Sequence, residues 1–136
     1  MSGLHIETRS DDVIVIHVHD LSRQTVNEWA EQIQALYHAY HVDARHLRLL
    51  YIFDPDIMPT PYLLKRAIGV LNARPTDLVI SAAMTVKNPN ITMGITHVMK
   101  RIHRSKHIHL VTKVEEGNGW LNERHRQYQQ GSALER

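Results

Sequence analysis

The strongest constraint on the fold is a repeated change of hydrophobic period. Short apolar runs, "DVIVIHVH", "HLRLLYIF", "DLVISAAM" and "HIHLVT", alternate with stretches in which apolar residues recur every third or fourth position. The runs fit buried strands, and the stretches between them fit single helical faces. From Ser22 to about His41 such a face is formed by Val26, Trp29, Ile33, Leu36, Tyr37 and Tyr40. Leu63, Ala67, Val70 and Leu71 form a second, up to the stop "NARP". Ile91, Ile95, Val98, Met99 and Ile102 form a third, with Asn90 or Thr92 as its expected cap. After the last run, Thr112 and Glu115 have the spacing of a capping box ahead of Val114, Trp120 and Leu121.

Strands that alternate with helices pair in parallel, because each crossover helix returns the chain to the starting edge of the sheet. Upstream, "LHIETR" reads as one more strand, joined to "DVIVIHVH" through the turn "SDD". The predicted architecture is therefore α/β: a mixed, mostly parallel five-stranded sheet with about four helices, ordered β-β-α-β-α-β-α-β-α. Val13, Ile14, Val15, Ile16 and Val18 are too continuously apolar for a strand with a wet face, which places that strand inside the sheet. Ligands of such sheets sit outside the carboxyl ends of the strands, where loops beginning at Asp20, Asp54, Met84 and Thr112 would gather.

A chain of 136 residues, 43% hydrophobic and 22% charged, suits one globular domain, assigned to residues 1–126 with a polar tail over 127–136. Such a core needs no metal or disulfide staple. The absence of cysteine excludes thiol nucleophiles and thiolate zinc sites. No run reaches the roughly 18 apolar residues of a membrane span. The segment "MSGLHIETRSDD" lacks the basic-then-apolar order of a secretory signal, so a cytoplasmic location is expected. A net charge of +2 carries no strong nucleic-acid signal.

The segment "YIFDPDIMPTPYLLKRA" invites three functional readings. Asp54-Pro-Asp56 at a strand end resembles the first motif of haloacid-dehalogenase-like phosphatases, which implies one carboxylate attacking phosphorus and the other handling a proton beside magnesium. The later acidic pair that this family needs is missing after "SAAM". Asp54, Ser81 and Lys113, each assigned to a strand end, resemble the phosphoacceptor, hydroxyl and lysine of receiver domains. One helix fills the interval from Asp20 to Asp54, where a receiver has a strand and a further helix.

The third resemblance spans nearly the whole chain. The element order is similar to a STAS domain, the sulphate-transporter and anti-sigma-factor-antagonist fold. "HIHLVTKVEEGNGWLNER" resembles the strand, Thr/Ser-x-x-Glu-Glu-Ala-x-x-Trp-Leu ending of small STAS-like bacterial proteins, with Gly117 in place of the alanine, and "KNPNITMGITHVMKRI" resembles the loop and helix before it. The resemblance implies a non-enzymatic module that binds a partner protein, with a regulatory phosphosite candidate at Thr60 before the second helix. The family's Asp-Ser-Ser/Thr-Gly signature is absent. From the residues alone, Thr60 is a helix cap followed by Pro61, and the aspartates are turn residues that accept local backbone hydrogen bonds.

His17 and His19 share one side of a strand, as do His107 and His109, so a metal could be held only if those strands were neighbours. No metal or other cofactor is assigned. Lys100, Arg101, Arg104 and Lys106 form a basic surface along and after the third helix, without the aromatics that stack bases, and nucleic acid is not expected. Trp29, Tyr37 and Tyr40, flanked by His38 and His41, are core or a homodimer contact. The leading expectation is a non-catalytic STAS-like protein-interaction module, and the alternative is a divergent phosphate-handling domain centred on Asp54.

Overall fold

The computed structural model describes residues 2–136, and its elements follow the expected order. Strand β1 (Leu4–Thr8) pairs antiparallel with β2 (Ile14–Val18). Their turn closes through Arg9 N–H donating to Val13 O at 2.9 Å and Asp12 N–H donating to Arg9 O at 3.0 Å. It needs a left-handed residue, supplied by Asp12 at φ 69°, and aspartate tolerates that conformation better than most side chains. Helix α1 (Arg23–Val42) starts where Ser22 Oγ accepts from Thr25 N–H at 3.2 Å.

The rest of the chain alternates β3 (Leu47–Phe53), α2 (Pro61–Asn72), β4 (Ile80–Thr85), α3 (Pro89–Met99), β5 (Ile108–Val111) and α4 (Val114–Gln129). The strands lie side by side in sequence order, and β2 to β5 are parallel. Because the order never reverses, the sheet has no switch-point crevice of the doubly wound kind.

Strand alternation divides the core into two layers. Ile14, Ile16, Leu49, Tyr51, Ile80, Ala82 and Met84 face α1, α2 and α3, meeting Trp29, Ile33, Tyr37, Val70, Ile91 and Val98. Val13, Val15, Leu50 and Ala83 face the other way and meet Leu121, with Trp120 partly buried beside them. Helix α4 approaches the sheet closely at Gly117, where a Cβ would stand 2.9 Å from Leu50 Cδ1.

Several boundaries depart from expectation. Helix α3 is capped by Asn88, not by Asn90 or Thr92, because Asn88 precedes Pro89 and its Oδ1 accepts from Asn90 N–H at 2.9 Å. The capping box at Thr112 does not form. Lys113 holds the N-cap position, and Thr112 Oγ1 donates to Glu116 Oε1 at 3.1 Å. Helix α4 continues to Gln129, past residue 126, and the segment after it folds back so that Arg124 donates to Glu135 O at 2.9 Å. Trp29, Tyr37 and Tyr40 are all buried within the chain, so this stripe leaves no aromatic surface for a dimer to cover. Among the described residues, no helix is long and apolar enough to cross a membrane.

Candidate functional site

The parallel strands bring the β3–α2 and β4–α3 loops together at their carboxyl ends. Thr60 has extended backbone, and its Oγ1 accepts from Leu63 N–H at 3.1 Å, with Pro61 following in the first turn of α2. Both features expected of the local sequence are present. Thr60 is half-buried, so its hydroxyl serves the cap at the edge of solvent.

Asn88 ties this loop to the next one. Its Nδ2 donates to Pro55 O and to Ile57 O, both at 2.9 Å, while its Oδ1 caps α3. Asn90 adds a contact from Nδ2 to Met58 Sδ at 3.4 Å. The signal for Asn88 lay in "NPN", an N-cap residue directly before a helix-starting proline. Its grip on two distant carbonyls had no signal, because these contacts span 33 and 31 residues of sequence. Met58, in the β3–α2 loop before Pro59, and Met93, in α3 before Gly94, are both exposed, and a Cβ at Gly94 would stand 3.1 Å from Pro59 Cγ.

Of the aspartates at this end, Asp20 accepts a local backbone hydrogen bond, whereas the Asp54 carboxylate meets a histidine 35 residues away. Asp54 continues the β2–β3 pairing through its N–H to Val18 O at 3.0 Å, and its carboxylate lies 3.1 Å from His19 Nδ1. Asp56 is exposed. Asp20 accepts from Thr25 Oγ1 at 2.5 Å and from Ser22 N–H at 3.0 Å, bonds that hold its carboxyl below the usual range. Lys113 is exposed at the start of α4.

Ser81 does not join them. It is the second residue of β4 and pairs with Arg48, the second residue of β3, which puts it at the amino end of the sheet. Asp54 lies six residues beyond Arg48 on the neighbouring strand, about 20 Å along it. The expectation took "SAAM" as a strand ending, but the strand runs on through Thr85. Asp54, Ser81 and Lys113 therefore do not converge.

At that amino end Ser81 is wholly buried in a polar network. Arg124 Nε donates to Ser81 Oγ at 2.8 Å, and Arg124 Nη2 donates to Ile80 O at 2.8 Å. His46 Nε2 lies 2.7 Å from the same hydroxyl, and its Nδ1 lies 3.1 Å from His125 Nδ1. With Ser81 accepting from Arg124 and donating to His46, the remaining His46 N–H is left for His125. Burial, reinforced by His125, Arg48 and Arg124, pushes the His46 pKa down to about 3. His107 is pushed to about 3 as well, by burial and then by Arg74. This network fastens α4 to the sheet, and sequence spacing gave no sign of it.

The other proposed groupings are scattered. His17 and His19 belong to β2 and its end, His107 and His109 to β5, and β3 and β4 lie between them. Among the described residues no three histidine or carboxylate side chains gather as a metal would require. Lys100, Arg101, Arg104 and Lys106 are all exposed, but they follow α3 and do not line its face, again at the amino end. Arg101 is partly occupied by donating to His97 O at 3.0 Å.

No protein-family profile matches this chain, and no curated protein matches it significantly. Among solved structures, the chain is similar to the crystal structure of an anti-sigma factor antagonist from Mycobacterium paratuberculosis. The two share 12% identity with a TM-score of 0.54, over 88% of this chain and 92% of the other. At this identity the likeness is one of overall fold: a sheet in sequence order with one antiparallel edge strand and helices packed against it.

Proposed function

We propose that this chain is a non-catalytic regulatory module that binds a partner protein at the α2–α3 end, with Thr60 as the position where phosphorylation would alter docking. The observation that carries this reading is the arrangement of the β3–α2 and β4–α3 loops. A half-buried hydroxyl caps α2 two residues after the exposed Met58, on a loop that Asn88 staples to the start of α3, the helix that carries the exposed Met93. Flexible, polarizable methionines are favoured where a surface must fit a partner. A phosphate on Thr60 would add about two negative charges at a helix N-terminus, where the dipole favours them, and would change the charge of the docking surface. The structurally similar protein is an anti-sigma factor antagonist, a role exercised on another protein, which supports the reading. The scattering of Asp54, Ser81 and Lys113 counts against the phosphate-handling alternative.

The test has two arms. Incubated with magnesium and acetyl phosphate, the purified protein is expected to take up no label. Labelling that is lost in Asp54→Asn would overturn the non-catalytic assignment. Partners captured on the wild-type protein should be lost from Met58→Asp and altered by Thr60→Glu, with Lys106→Gln as an unaffected control. Equal capture by all four proteins would remove this surface from consideration.

A further inference from the structure

Side-chain alternation puts His17 and His19 on the α4 side of the sheet, with Val13 and Val15. The strand that meets them there is β1, not β5. His5 stands directly opposite His17 in the antiparallel register, and Glu7, two residues on, shares its face. Side chains paired in this way have Cβ atoms about 5 Å apart, close enough for two rings to reach one point. Helix α4 packs against β3, β4 and β5, and the side chains at the β1 edge stay open to solvent, 63% for His5, 54% for Glu7 and 32% for His17.

Glu7 lies between two imidazoles. His5 Nε2 is 3.8 Å from Glu7 Oε2, and His17 Nε2 is 4.0 Å from Glu7 Oε1, so each ring presents the same nitrogen to a different oxygen. Both separations are too long for a hydrogen bond. Arg9, the next residue on this face of β1, does not neutralise Glu7, because its guanidinium donates to Asp11 and Asn118. Two donors each about 2.1 Å from a tetrahedral ion stand about 3.4 Å apart. The three groups are thus open by about half an ångström and do not gather as a bound ion would hold them, but small rotations of exposed side chains close such a gap. The His5 and His17 rings are tilted by 45° and are not stacked on each other, which leaves their edges free to turn inward. His19 differs. It lies along β2 in the direction away from Glu7, parallel to the His17 ring, with its Nδ1 held by Asp54.

We propose that His5 Nε2, His17 Nε2 and the Glu7 carboxylate bind a divalent ion of the zinc type, which cross-links β1 to β2 and keeps its remaining position for water. Imidazole nitrogens suit zinc and its transition-metal neighbours, whereas magnesium and calcium take oxygen donors. The site lies across the sheet from α2 and Thr60, so it does not rest on partner docking.

The test uses the full chain with zinc ion as the probe, followed by calorimetry and by NMR of the histidine ring signals. One equivalent of zinc should bind saturably and shift His5 and His17 ahead of the other histidines, while magnesium at the same concentration shifts none. His5→Gln, Glu7→Gln and His17→Gln should each weaken zinc binding by about ten-fold or more. His38→Gln, on the exposed face of α1, should leave it unchanged. If a variant does not fold, the ring signals of the wild-type protein identify the ligands directly. No saturable zinc binding, another set of histidines shifting first, equal binding of magnesium, or unchanged zinc affinity in any of the three folded variants would overturn the proposal.

Discussion

Acid should destabilise this protein well above the range in which carboxylates titrate. His46 and His107 are buried, and their pKa values are held at about 3, against about 6.5 for a free histidine. Between these limits the unfolded chain binds protons that the folded chain refuses, so stability is complete above pH 6.5 and is lost as the pH falls toward 3. Going from pH 7 to pH 5 costs about 2 kcal/mol for each ring, or about 4 kcal/mol for the pair. That is a large part of the 5 to 15 kcal/mol typical of a folded domain. His125, also lowered by burial, acts in the same direction. The groups around the two rings, Arg48, Arg74 and Arg124, are cationic and cannot relieve the added charge. Carboxylates such as Asp11, Asp20 and Asp77 have lowered pKa values and titrate below this window. Urea unfolding at both pH values measures the difference, and His46→Gln and His107→Gln should each remove about half of it. Stabilities that agree within about 1 kcal/mol at pH 5 and pH 7 would refute the reasoning.

Thr60→Ala should cost about 1 kcal/mol through loss of the α2 cap while leaving the protein folded, as chemical denaturation will measure. Asn88→Ala removes a cap and the partners of Pro55 O and Ile57 O, so it should cost about 2 kcal/mol and raise hydrogen exchange in the 54–59 loop. Leu121, wholly buried beside Leu50 and Ala83, should lose about 2 to 5 kcal/mol on truncation to alanine. Trp120 is only partly buried, stacked on His109 at 4.9 Å between ring centres, so Trp120→Ala should cost less than Leu121→Ala. The reverse order of melting temperatures would contradict the packing of α4.

Local pattern determined the elements of this protein. Apolar runs of strand length, helical repeats at three and four, and the Thr60-Pro61 cap each depend on neighbours a few residues away, and all appear in the expected order, with bounds that shift at β4, α3 and α4. The parallel sheet followed from the alternation, since a crossover helix leaves the chain little choice of direction. Tertiary structure decided which residues meet. Ser81 was legible as a strand residue, but its place at the amino end depended on where β4 starts and on its register with Arg48. The aromatic stripe of α1 was legible as a helical face, but its burial depended on the elements packed beside it. The Asn88 staple and the His46–Ser81–Arg124 network arise from contacts 31 to 43 residues apart. Residue periodicity sets which way a side chain points, but only the packed sheet and helices set what it reaches.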